Sequence, residues 1–201
     1  MPEAMTGEAF AQILFRWIHF LAGITWIGLL YYLNLVQVRF VPSIDAALRP
    51  QIVPLVLSRV MAWFRHSAWV TVLAGFVLIY LKYWQIGDVV GTNPAKTIFT
   101  GMLLGLIMVF NVWVLIWPNQ KKIIAAMRAA TAPDPSWGRV ALYASRTNFT
   151  LSFPMLLFMG LSGSVPNYAM DWPGIVVSGL VAAGIGALIW NTVQRWMPSR
   201  F

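Results

Sequence analysis

Five long apolar runs constrain this chain more than any other feature of its sequence. A helix needs about 20 mostly apolar residues to cross the hydrocarbon core of a bilayer. The stretches Gln12 to Val36, His66 to Trp84, Ile98 to Trp117, Asn148 to Val165 and Gly174 to Val193 approach or exceed that length with little interruption. Charged residues make up only 10% of the sequence, against about 25% in soluble domains, so lipid rather than water is the expected solvent. The sequence therefore reads as an all-α integral membrane protein, a bundle of about five transmembrane helices forming one domain over residues 1–201.

The basic residues set its orientation. Of the 14 Lys and Arg, Arg39, Arg49, Arg59, Arg65, Lys121, Lys122, Arg128, Arg139, Arg146, Arg195 and Arg200 fall on one side of the runs. Only Arg16, Lys82 and Lys96 fall on the other, together with Glu3, Glu8, Asp88 and Asp171. By the positive-inside rule the N-terminus is outside and the C-terminus inside. Trp17, Trp84 and Trp172 then mark the outer interface, and Trp63, Trp117 and Trp196 the inner one. The acidic N-terminal residues are unlike the basic start of a cleaved leader, so the first run is expected to remain as a helix. Between the runs, Pro54 to Phe64 and Gln120 to Ala130 show apolar residues at helical spacing among basic ones. They read as two basic interfacial helices lying on anionic lipid at the cytoplasmic side.

A polar side chain inside a bilayer marks the helix face that avoids lipid. On the first run Arg16, His19, Gly23, Trp26, Leu30 and Asn34 follow one stripe; on the fourth, Asn148, Ser152, Met155, Met159 and Ser162 do so. The two stripes are expected to face each other or a shared cavity. Asn111 on the third run, with Asn148, is a candidate structural polar group. His19 is the histidine within hydrocarbon depth, with Gly23 leaving space beside it and Trp26 forming a flat wall, a slot suited to a planar macrocycle or a purine. A hydrogen bond from His19 to the fourth helix is the competing explanation. Helix rise puts His66 about 20 Å from His19 along the membrane normal, too far to share one iron. At the inner end, Trp117-Pro118 is expected to stop the third helix, and Arg146 to tie the fourth helix entrance to Asn119 and Gln120 through its forked donors.

Much chemistry is excluded. The absence of Cys removes disulfides, iron–sulfur clusters, thiolate nucleophiles and c-type haem attachment. Two histidines cannot supply the two His pairs of a di-haem cytochrome b bundle. No Asp or Glu lies within the five runs, which argues against proton pumping and carboxylate-bridged metals. Neither histidine belongs to a credible serine triad, and neither inverted repeats nor broken helix pairs point to a transporter. The charge of +8 is spread between apolar runs and forms no nucleic-acid patch.

Three segments, Arg16 to Gln37 (RWIHFLAGITWIGLLYYLNLVQ), Asn111 to Ile124 (NVWVLIWPNQKKII) and Ala144 to Gly160 (ASRTNFTLSFPMLLFMG), are similar to the membrane-spanning domain of the bacterial membrane-bound, cytochrome c-linked urate oxidases, or urate hydroxylases. The resemblance implies a short form without the cytochrome c module, placed in the bacterial inner membrane. It also implies a redox module that holds one b-type haem, with His19 as iron ligand, Met159 as a soft partner and Gly23 and Trp26 beside them. Electrons would then pass to a separate partner, a cytochrome c or other membrane subunits. The alternative is an accessory subunit that keeps the helical scaffold without catalysis.

Overall fold

The structure, a computed structural model, describes residues 6–84, 92–164 and 170–196. Expectations for the side chains of Trp84, Ser162 and Trp196 fall outside the described residues, as do those for Glu3, Asp88 and Arg200. Five helical rods make up the described chain. They are α1 (Gly7–Ser43), α2 (Arg49–Ile79, continued by a π-helical turn Tyr80–Trp84), α3 (Asn93–Arg128), α4 (Pro135–Ser164) and α5 (Trp172–Trp196). Among the described residues four spans are long and apolar enough to cross a membrane: Gly7–Ser43, Arg49–Lys82, Asn93–Arg128 and Trp172–Val193. The fifth expected span, on α4, is not among them; this helix carries Arg146, Thr147, Asn148, Thr150 and Ser152 through its middle.

Local chemistry explains where the rods begin. Thr6 caps α1, its hydroxyl accepting from the Ala9 N–H at 3.2 Å. Asp134 caps α4 by accepting from the Ser136 N–H at 2.8 Å, with Pro135 at the first helical position. That N–H and the Ser136 hydroxyl hold the Asp134 carboxyl below its ordinary pKa. Asp171 caps α5 through the Gly174 N–H at 2.9 Å. Between α1 and α2, Arg49 donates from Nε to Ile44 O and from Nη2 to Pro42 O, both at 2.9 Å, and so satisfies carbonyls at the end of α1.

The two expected interfacial helices are not separate elements. Pro54 to Phe64 lies within the first half of α2, and Gln120 to Arg128 is the end of α3. Their apolar faces turn into the bundle: Val53, Leu57, Met61 and Phe64 are buried with Ile116, Ile124 and Ala144 in the main core. Pro118 does not stop α3 either. The π turn Asn111–Ile116 lies just upstream, where the Trp117 N–H reaches back to Val112 O. Widening the helix there accommodates a residue that lacks a donor. Asn119 Nδ2 bonds Leu115 O at 2.7 Å in the same turn. Rods of 36 to 37 residues, as α1 and α3 are, run about 55 Å, well beyond the roughly 30 Å of bilayer hydrocarbon.

The distribution of polarity is inverted relative to a water-soluble bundle. Asn34, Thr71, Thr97, Asn111, Asn148 and Ser152 are buried, while Ile13, Phe20, Ile24, Leu73, Val177, Leu180 and Leu188 are exposed. α1 packs along α2, and α4 lies between α3 and α5 and also touches α1.

Candidate functional site

His19 sits about a third of the way along α1 from its N-terminal end and faces α2. Its Nδ1 lies 2.8 Å from Thr71 O; since a carbonyl only accepts, Nδ1 carries the proton and donates. The ring rests on Gly75, where a Cβ would come within 3.1 Å of His19 Cε1 and 3.3 Å of Nδ1. Gly75 therefore makes the room that His19 occupies. Thr71 and Gly75, one turn apart on α2, are the site residues that reading the sequence missed. Their signal was a small residue one turn beyond a threonine on an apolar helix.

The rest of the His19 stripe is also turned toward α2. A Cβ on Gly23 would meet the Thr71 methyl at 3.7 Å, so no slot opens there. Trp26, at 2% exposure, is in the main core rather than a cofactor wall, and its Nε1 is buried without a hydrogen-bond partner. Met159 packs instead on α3, with its Cγ and backbone N both 3.4 Å from a Cβ position on Gly101. The hydrogen bond expected from His19 to α4 is made to α2. The reason lies in the α1–α2 hairpin, whose register places Thr71 opposite His19. That register also brings His66, only five residues before Thr71, within roughly 8 Å of helix rise of the His19 level rather than about 20 Å. His66 nevertheless points elsewhere: it is exposed, accepts from Arg65 Nε at 3.2 Å, and stands edge-on to Trp113.

A second polar centre surrounds α4. Asn148, with no exposed surface, accepts from Asn111 Nδ2 at 2.8 Å and donates to Met108 O at 2.9 Å. One turn along, the Ser152 hydroxyl lies 3.1 Å from Tyr31 Oη and donates to Phe149 O at 2.7 Å. Asn34 Nδ2 donates to Ser145 Oγ and Leu30 O at 2.8 and 2.9 Å. Thus the α1 and α4 stripes do meet, but through Tyr31 and Asn34 and not at His19. Asn34 and Asn111 each lie in a π turn, Tyr32–Gln37 and Asn111–Ile116, and each reaches to α4. All these groups are neutral amides and hydroxyls, fitted to joining helices in a low-dielectric interior.

Arg146 is placed differently from the expectation. Its guanidinium lies over the Trp190 ring of α5, 4.1 Å from the centroid, and 5.9 Å from that of Tyr143, while Nε is buried without a hydrogen-bond partner. Asn119 bonds within its own helix and Gln120 is part-exposed beside it, so Arg146 is held by stacking on α5 rather than by this corner. A parallel arrangement occurs at Arg65, 3.9 Å from the Trp117 centroid.

These residues match a b-type haem only at one point. His19 suits a ligand in that Nδ1–H is held by a carbonyl and Nε2 is left as the lone-pair nitrogen. Gly23, Trp26 and Met159 do not fit, since they pack on α2, in the core and on α3 instead of framing a plane with His19.

Comparison with known proteins matches the family model described as urate oxidase N-terminal to residues 89–197. No curated protein and no solved structure matches the chain. The matched residues hold Asn111, Pro118, Arg146, Asn148 and Met159, along with two of the three segments that carried the resemblance; His19 lies outside them. The chain, matched over more than half its length, belongs to the urate oxidase N-terminal family.

Proposed function

We propose that this chain is a non-catalytic membrane subunit of a larger redox assembly of the urate oxidase type. It stands N-out and C-in in a bacterial inner membrane and works beside a separate electron-transfer partner, such as a cytochrome c or other membrane subunits. The observation that supports this most is how the buried polar groups serve one another. His19 latches α1 to α2, and Asn34, Tyr31, Asn111, Asn148 and Ser152 tie α1 and α3 to α4. These contacts build a scaffold. The family supplies the redox setting by analogy.

A single haem b on His19 is the second reading, favoured by the Nδ1–H donated to Thr71 O. When bound it would supply one-electron exchange. The positions of Gly23, Trp26 and Met159 put this reading second.

An absorption spectrum of the detergent-extracted protein, taken with the inventory of proteins that co-purify, separates the two. The scaffold reading expects no Soret band from the chain itself and a redox partner in the preparation. A Soret band that His19→Gln abolishes, with the fold intact, would establish the haem reading instead. Orientation is tested with cysteines at Asn93 and Ser136 and an impermeant thiol reagent on intact cells. Position 93 is expected to label from outside and 136 only after lysis; labelling of 136 alone would reverse the topology.

A further inference from the structure

On the outer face of the α1–α2 hairpin a groove of about 410 Å³ is lined by Ile24, Thr25, Gly28 and Leu29 from α1 and Arg59, Val60 and Trp63 from α2. Its walls are apolar, because the one hydroxyl, Thr25 Oγ1, donates to Leu21 O at 2.9 Å. Gly28 has nothing within 4 Å of a Cβ position, so its missing side chain keeps the groove open. Trp63 is 68% exposed and Ile24 70%. Since α1 and α2 run antiparallel, Arg59 lies at the end of the groove nearer Leu29, and Ile24 lies toward the membrane centre. Arg59 is exposed and has no hydrogen-bond or ion-pair partner among the described residues.

From this arrangement we infer that the groove is a binding site for an anionic phospholipid, one acyl chain lying along Gly28 and Ile24 with the phosphate at Arg59. The inference rests on the reading of the chain as a membrane subunit. Charge complementarity selects the occupant. An unpaired guanidinium at one end of an apolar trough matches a molecule with one anionic head and a long apolar tail. Trp63 stands beside that end as an amphipathic ring at the headgroup level. A helix from a second copy would fill the trough but offer nothing specific to the free charge.

The test uses the full chain in nanodiscs of mixed phosphatidylglycerol and phosphatidylethanolamine, followed by native mass spectrometry. Wild type is expected to retain phosphatidylglycerol in preference to phosphatidylethanolamine. Gly28→Leu, which projects into open space, is expected to lose most of that retained lipid without loss of thermal stability. Arg59→Gln leaves the groove intact and is expected to lower the preference for the anionic lipid about fivefold, the effect of one basic residue at a membrane surface. Undiminished phosphatidylglycerol in Gly28→Leu would overturn the site, as would equal retention of both lipids by wild type. So would a protein dimer, free of lipid, that Gly28→Leu dissolves. Carbonate extraction of wild type separates the two levels of inference: release from membranes sinks the membrane reading and the lipid site together, whereas retention with unselective lipid sinks the site alone.

Discussion

The His19 contact between α1 and α2 and the ring of polar contacts around α4 are held by different physics. At His19 a single hydrogen bond crosses between helices, and close approach over Gly75 does the rest. Around α4, Asn111–Asn148–Met108, Tyr31–Ser152 and Asn34–Ser145 join three helices, and the main core lies against them. The two regions differ most in what is left behind when a partner is removed. Thr71 O belongs to a regular helical turn and keeps its backbone N–H donor if His19 is lost. Asn111 Nδ2 has Asn148 as its hydrogen-bond acceptor in a buried setting, and loses it outright.

That asymmetry gives the largest expected effect. Asn148→Ala removes two cross-helix bonds and strands the Asn111 amide. Polar contacts between membrane helices are worth about 0.6 kcal/mol on average and up to about 1.7, and a stranded buried donor adds about 1–3 kcal/mol. A loss of about 2–4 kcal/mol is expected in detergent unfolding. The double variant Asn111→Leu with Asn148→Leu is expected to recover part of it, because no donor is then left unpaired. A cost for Asn148→Ala no greater than that of His19→Leu would remove the contrast between the regions.

Arg146 marks the rim of the α4 ring nearer the N-terminal end of that helix. Arg146→Ala removes both the stack on Trp190 and the packing of its stem, with an expected loss of about 1–2 kcal/mol. Arg146→Lys keeps the charge but not the flat guanidinium, and is expected to lose about 1 kcal/mol. Equal stability of Arg146→Lys and wild type would mean the stack on Trp190 contributes nothing, and would confine the strong region to the Asn and Ser contacts.

How much of this could be read in the sequence follows the same division. Four of the five rods are legible because apolar length is a direct physical requirement of a bilayer, whereas α4 is a rod without being one of the four apolar spans. The α4 stripe is legible too, since Asn148 and Ser152 repeat at four residues and both are fully buried. Helix continuity was not. Arg59, Arg65 and Pro118 look like boundaries in a hydropathy reading, yet Arg59 is exposed and Arg65 stacks on Trp117 of α3 while Leu57, Met61 and Phe64 keep the helix face buried, and a π turn absorbs the proline. Nor was the partner of His19 legible. Spacing along α1 says which residues share a face but not which helix that face meets, and the short Arg49-capped corner that brings α2 alongside depends on backbone carbonyls.

His19→Leu probes the α1–α2 contact. Losing one bond to a carbonyl that retains its helical donor is expected to cost about 0.5–1 kcal/mol. Gly75→Val approaches the same contact from the other side by pushing branched carbons toward the imidazole, and is expected to cost somewhat more, about 1–3 kcal/mol if the ring cannot move away. Combining the two variants is the sharper measurement. The new leucine would leave a differently shaped neighbour for the new valine, so the costs are expected to be less than additive; strict additivity would show that His19 and Gly75 do not act as one contact.

An effect as small as that of His19→Leu, but a gain, is expected outside both regions. Ala130 ends α3 at φ 53°, with Thr131 N–H bonded to Ala126 O at 2.9 Å and Ala130 N–H to Met127 O at 3.1 Å. That is the reverse turn at a helix C-terminus in which glycine is usual, because an L side chain in the left-handed region crowds its own carbonyl. Ala130 is exposed and contributes no packing that glycine would forfeit. Glycine also loses more freedom on folding than alanine, which offsets part of the relief. The net expectation for Ala130→Gly is a stabilisation of about 0.5–1 kcal/mol. Because the site is remote from His19 and Asn148, its gain is expected to add to the cost of either variant unchanged. A gain that disappeared in the Asn148→Ala background would mean that the end of α3 and the α4 ring unfold as one unit, extending the strongly held region to the C-terminal end of α3.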